Sequence, residues 1–189
     1  QNHLLQVMAA LAMDPPVGYW GEAQRDERAK VLRAVSPTTG RTLVRGQYRG
    51  YRSEPGIAPG SEVETYAAMQ LHLNSWRWQG VPFFIRTGKS LPVTATEVMV
   101  ILKAPPQQVF DEPVPPQSNY FRFRLGPNQV AIAVGSRTKT PGERMAGEEV
   151  ELYVCNATSE AKEAYERLIG DAMSGDATLF AREDSVEAA

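Results

Sequence analysis

Few side chains in this 189-residue sequence have the types and spacing to carry chemistry. His3 and His72 are its two histidines. An unperturbed imidazole, with a pKa of about 6.5, can accept a proton near neutral pH. Neither histidine has a carboxylate, histidine or cysteine at metal-ligand spacing, so no metal site is expected. Taken alone, His3 reads as a helix histidine that caps or packs, and Lys89 as a surface lysine at a strand end. Gly88-Lys89-Ser90 has the last letters of a phosphate-cradling loop. The leading glycine of such a loop would fall at Phe83, and Leu91-Pro92 stands where a helix should follow. No Gly-x-Gly-x-x-Gly turn and no Gly-x-Ser-x-Gly elbow occurs. The lone Cys155 excludes an intramolecular disulfide and a multi-cysteine metal cluster, and suits a reducing compartment. A cytoplasmic location is expected.

Charge narrows the function classes further. Twenty Lys and Arg against 22 Asp and Glu leave a formal charge of −2, without the basic excess that nucleic-acid binders use. No apolar run approaches the ~20 residues of a spanning helix, and Leu4 to Met13 lacks the flanks of a signal peptide. Neither a nucleic-acid nor a membrane partner is expected. Asn119 to Leu125 interleaves aromatic and basic residues, as a base-stacking platform can. Period two separates Phe121, Phe123 and Leu125 from Tyr120, Arg122 and Arg124. The expectation is a half-buried strand with its rings in the core and its guanidinium groups turned away. The acidic stretches Glu148-Glu149-Glu151 and Asp171 to Asp176 read as a solvated strand edge and helix end.

These residues must be positioned by a chain with 42% hydrophobic and 22% charged residues, an ordinary globular composition. Leu4, Leu5, Met8, Leu11 and Ala12 predict a helix stopped by Asp14-Pro15-Pro16. Its start is missing: the chain opens on Gln1 inside the pattern, so a longer protein is expected. A second helix is predicted from Glu22 to Val35, ended by Ser36-Pro37. Strands are predicted over Thr42 to Tyr51, from Thr65 onward to Leu73, and over Val81 to Arg86, Glu97 to Lys103, Tyr120 to Leu125, Val130 to Val134 and Val150 to Val154. Ala104 to Gln117, with five prolines, reads as connection. A helix capped by Ser159 is predicted over Glu160 to Met173, and a short one begins near Asp184. Helices, consecutive strands, then helices predict an α+β fold with a large, mainly antiparallel sheet covered by helices.

Gln1-Asn2-His3-Leu4-Leu5-Gln6, Arg45-Gly46-Gln47-Tyr48 and the segment from Asn74 through Trp78-Gln79-Gly80-Val81-Pro82-Phe83 to Arg86-Thr87-Gly88-Lys89 occur in that order. Lys139-Thr140-Pro141-Gly142 and the stretch from Gly170 to Phe180 follow. Together they resemble the carboxyl-terminal domain of glucose-6-phosphate dehydrogenase, over residues 1–189. The resemblance implies a substrate-binding and dimerisation domain whose antiparallel sheet forms a homo-oligomer. It also implies an amino-terminal coenzyme-binding domain, expected to hold most of the NADP and to be absent from this chain. It further implies oxidation of D-glucose 6-phosphate to 6-phosphoglucono-1,5-lactone with NADP⁺, in the oxidative pentose phosphate pathway. By the same resemblance, His3 is the general base at the anomeric hydroxyl and Lys89 binds the sugar phosphate. No cofactor-binding residue is assigned within the chain.

Two positions depart from the family pattern. Thr94 stands where a second basic residue commonly follows the lysine, and Gly126 replaces a glutamine after the Asn119 to Arg124 strand. The basic and aromatic residues of a second, structural NADP⁺ site are missing around Ile132 to Val134, so that site is not expected. The upstream motif that orients the catalytic histidine is also missing, and the isolated fragment is expected to be inactive. The alternative is a noncatalytic assembly module derived from the same fold. Thr94 and Gly126 favour it, while His3 and Lys89 speak against it.

Overall fold

A computed structural model describes residues 3–18, 21–37, 40–111, 118–127, 129–157 and 164–189. The chain divides into two compact units, Gln1–Leu91 with Ala164–Ala189, and Pro92–Glu163.

In the first unit the helical spacing of the opening residues becomes α1, Leu4–Ala12, which buries Met8, Ala9 and Ala12. The prolines at 15 and 16 cannot continue its hydrogen-bond ladder. Helix α2, Glu22–Arg33, buries Ala29, Val31 and Leu32. Its glutamate in the first turn and its Lys30 and Arg33 in the last match the helix dipole. Strands β1 (Leu43–Gly46), β2 (Tyr66–His72) and β3 (Pro82–Gly88) form an antiparallel sheet in that order. The predicted strand Thr42 to Tyr51 is shorter here: β1 ends at Gly46, and Tyr51–Ser53 turn as a 3₁₀ helix after the left-handed Gly50. The period-two pattern of β2 holds: Leu71 and Leu73 are buried and Met69 packs beside them. The register places Met69 opposite Ile85 and Leu71 opposite Phe83, so both strands face α1 and α2 with their apolar sides. Leu32, at 2% exposure, is the largest fully buried side chain among the described residues. Burying such a side chain contributes about 1.5–3 kcal/mol.

The carboxyl-terminal segment returns to this unit. Of the predicted helix, the described part is α3, Ala164–Ser174; the cap at Ser159 lies outside the described residues. Helix α4, Glu183–Ala188, is held to α2 by charge. Arg182 reaches Asp184 at 2.7 Å, Asp26 at 2.7 Å and Glu22 at 2.8 Å, while Arg33 meets Asp184 at 2.8 Å. The hydrogen bonds from Arg182 and then Arg25 hold Glu22 below its ordinary value, and Arg182 does the same for Asp184. A depressed carboxylate pKa contributes stability that is present above the unfolded value and lost as pH falls through the folded one. The docking of α4 is therefore expected to loosen only as pH falls below the ordinary carboxylate values, 4.5 for Glu22 and 3.8 for Asp184. Hydrogen exchange at the Ser185 and Val186 amides, both bonded to the Arg182 carbonyl, reads this directly. Protection factors there are expected to fall in acid while those of β2 hold. Equal behaviour of the two would refute the role of the charges.

The second unit is an antiparallel meander of β4 (Thr96–Ile101), β5 (Tyr120–Gly126), β6 (Gln129–Lys139) and β7 (Gly147–Ala157). Antiparallel pairing agrees with expectation, and the strands fall into two sheets, one per unit. One expectation is corrected. Phe121 is 38% exposed, whereas the Arg122 and Arg124 side chains are only 30% and 28% exposed. Arg122 lies opposite Ala133, and Arg124 opposite Ala131, both buried. Small residues on β6 leave room for the guanidinium groups to lie across the sheet. Glu151 and Glu97 neutralise them. Glu151 is thus an ion-pair partner rather than a merely solvated edge residue. The opposite face, with Phe121, Ile132, Leu152 and Val154, is exposed, as are Met99, Ile101 and Tyr153 on the guanidinium face.

Candidate functional site

His3 stands at the amino-terminal boundary of α1, where its carbonyl accepts the Val7 N–H at 2.9 Å. Its imidazole is exposed and makes no capping hydrogen bond. The other end of α1 is pinned: the Trp78 indole N–H donates to the Ala12 carbonyl at 2.8 Å, and Arg77 meets Asp14 at 3.0 Å. Trp78 also packs edge-on against Phe83, with ring centroids 5.2 Å apart. The β2–β3 connection therefore grips the carboxyl-terminal end of α1. From that grip α1 runs back to His3, and β3 runs out to Lys89. Both sequence-predicted residues lie in the first unit, each at the far end of an element whose near end is held at Trp78.

Lys89 follows directly on β3, and its side chain is exposed. Its backbone N–H donates to the Thr65 carbonyl at 2.8 Å. Gly88 allows this approach, since a Cβ there would come within 2.8 Å of the Tyr66 ring and 3.3 Å of the Thr65 carbonyl oxygen. Ser90, immediately after the lysine, has φ 54°, the one left-handed non-glycine among the described residues. Around this corner sits Arg45-Gly46-Gln47-Tyr48. The Gln47 amide donates to the Ser61 and Val63 carbonyls at 2.8 and 2.9 Å, closing the loop between β1 and β2. The Tyr48 hydroxyl donates to Glu54 at 3.2 Å. Burial, and then the Glu54 bond, push the Tyr48 phenol up, so it stays protonated. Sequence reasoning placed Gln47 and Tyr48 in a motif without assigning them contacts; Thr65 carried no signal beyond its place before β2.

His72 is exposed on β2, with its ring nitrogen 2.9 Å from the Gln70 amide. Thr94 and Gly126 belong to the second unit. On that unit Glu97, Arg122, Arg124, Ala131, Glu151 and Tyr153 line a cleft of about 270 Å³. The hydrogen bond from Tyr120 and the pairing with Arg122 hold the Glu151 carboxyl below its ordinary value. Each guanidinium in the cleft already faces a carboxylate, so an anion entering it would have to displace Glu97 or Glu151. Among the described residues, no group of three His, Cys, Asp or Glu could hold a metal ion, and no helix is long and apolar enough to cross a membrane.

A family model described as "Glucose-6-phosphate dehydrogenase, C-terminal domain" matches residues 1–189. The chain is 43% identical to a glucose-6-phosphate 1-dehydrogenase of Aggregatibacter actinomycetemcomitans, covering all of this chain and 41% of that protein. It is 38% identical to a glucose-6-phosphate 1-dehydrogenase of Mycobacterium tuberculosis, covering 99% of this chain and 40% of that protein. The crystal structure of the Mycobacterium avium enzyme superimposes with a TM-score of 0.88 at 38% identity, covering 99% of this chain and 41% of that one. A glucose-6-phosphate dehydrogenase in complex with glucose 6-phosphate superimposes at 0.80 with 32% identity, over 99% of this chain and 40% of that one. The chain thus spans about two fifths of the relatives it matches.

Proposed function

Because the chain belongs to the family of glucose-6-phosphate dehydrogenase C-terminal domains, we propose that it is the substrate-binding and subunit-pairing part of an oxidoreductase. That enzyme oxidises D-glucose 6-phosphate to 6-phosphoglucono-1,5-lactone with NADP⁺ in the cytoplasm. What supports the reading is one arrangement: an exposed imidazole and an exposed ammonium lie in one unit, on elements tied together at Trp78. Every described strand pairing is antiparallel, and no glycine fingerprint occurs in the chain. These residues therefore do not fit a nicotinamide dinucleotide of the doubly wound kind, and the coenzyme belongs to a part of the protein beyond them.

Lys89 holds the sugar phosphate: an ammonium on a flexible stem offers three donors to a dianion. His3 accepts the proton of the C1 hydroxyl as C1 gives up hydride. The C1–O bond then becomes a neutral lactone carbonyl instead of a protonated one, whose positive charge would oppose hydride loss. Replacing Lys89 by alanine in the full-length protein is expected to raise KM for glucose 6-phosphate by about ten- to a hundredfold. Initial rates over a range of sugar phosphate measure it; an unchanged KM would remove Lys89 from the site.

The second unit has its own part in this proposal. Phe121, Ile132, Leu152 and Val154 share one exposed face, which is the surface for a second copy of the chain. Should the full-length protein pair through that face and turn over no sugar phosphate, the assembly-module reading would take precedence.

A further inference from the structure

Lys89 can act on a phosphate only if the backbone that carries it is held in place, since its own four-carbon stem is flexible. Thr65 is the residue on which that backbone closes. Its carbonyl accepts the Lys89 N–H at 2.8 Å, its own N–H donates to the Gly46 carbonyl at 2.9 Å, and its Oγ1 accepts the Tyr48 N–H at 2.9 Å. One residue thus joins the end of β1, the start of β2 and the exit of β3. On the other side of the lysine, Ser90 holds a left-handed φ of 54°. A non-glycine persists in that conformation only where its surroundings over-determine it, and such sites cluster where a side chain must be aimed. Lys89 is therefore constrained on both sides, by the Thr65 carbonyl at its own N–H and by the left-handed turn at Ser90.

We propose that Thr65 is a positioning residue for substrate binding, its hydroxyl fixing the Tyr48 backbone and its carbonyl fixing Lys89 at the mouth of the sugar-phosphate site. This rests on the reading of Lys89 given above. The decisive change removes one oxygen: Thr65→Val keeps the shape and leaves the Tyr48 N–H without its acceptor, while Thr65→Ser keeps the hydroxyl.

The test is a double-mutant cycle in the full-length protein, read as KM and kcat for glucose 6-phosphate. Thr65→Val is expected to raise KM about three- to tenfold with kcat within about twofold, and Thr65→Ser to return KM to within about twofold of the parent. In a Lys89→Ala background, Thr65→Val is expected to add less than about twofold, because the group it positions is gone. If valine folds poorly, Thr65→Ala removes the same oxygen. A Thr65→Val protein with parental KM, beside a Lys89→Ala protein with raised KM, would overturn the positioning role alone. So would equal losses from Thr65→Val in both backgrounds, the signature of a merely structural residue. A Lys89→Ala protein with parental KM would overturn the reading of Lys89, and the inference with it.

Discussion

Replacing His3 by asparagine in the full-length protein is expected to lower kcat for glucose 6-phosphate by roughly two to four orders of magnitude, with little change in KM. Asparagine keeps a polar side chain of similar reach and can still donate a hydrogen bond to the sugar. What it lacks is a basic nitrogen, so only the transition-state proton transfer is lost. The position suits the experiment. His3 is exposed and makes no capping bond to α1, so the helix loses no stabilising contact when the ring goes. Circular dichroism and thermal midpoint are expected to stay at parental values. In the same assay the 189 residues alone are expected to give no detectable NADP⁺ reduction. They contain no dinucleotide fingerprint. Parental kcat in the asparagine variant would break the assignment of His3, and turnover by the 189-residue chain would break the assignment of the coenzyme to another part of the protein.

A lysine at Ile132 is expected to abolish self-association of the protein at micromolar concentration. Ile132 lies between Phe123 of β5 and Val154 of β7 on the exposed face, and is 52% exposed in the single chain. An ammonium is tolerated there while the face is wet. Burying it unpaired against a second copy costs several kcal/mol, enough to weaken pairing by a thousandfold or more on an order-of-magnitude scale. Leu152→Lys, on the neighbouring strand, is expected to act alike. Phe84→Lys is the control: Phe84 is exposed on β3, in the first unit, and its replacement should leave the mass of the assembly unaltered. Light scattering of the three variants decides the matter. An unaltered mass for both sheet variants would move the pairing surface elsewhere.

The contrast between β2 and β5 marks how far sequence reading carried. Along β2 one side of the alternation is apolar and the other carries Gln70 and His72, so period two identified both the strand and its inward face. Along β5 the alternation separates rings from guanidinium groups just as cleanly. That the guanidinium groups lie across the sheet depends on Ala131 and Ala133, and on Glu97 and Glu151, in three other strands. No local pattern contains that information. Likewise Gln47 and Tyr48 stood in a recognisable motif, but Thr65 has no periodic signal. Only the register of β1, β2 and β3 brings its carbonyl to Lys89.

By itself the sequence determined the helices and strands, their prolyl stops, the family resemblance and the two side chains on which the chemistry is proposed. These are properties of neighbouring residues and ordered motifs, set by backbone geometry and the spacing of apolar groups. Tertiary structure decided the rest: the division of the strands into two sheets, the ion pairs that hold the β5 guanidinium groups and the hold of Thr65 on the lysine. Each of those follows from hydrogen bonds and packing between residues distant in the chain, and the partner that satisfies a polar group or covers an apolar one is chosen only when the strands take their register.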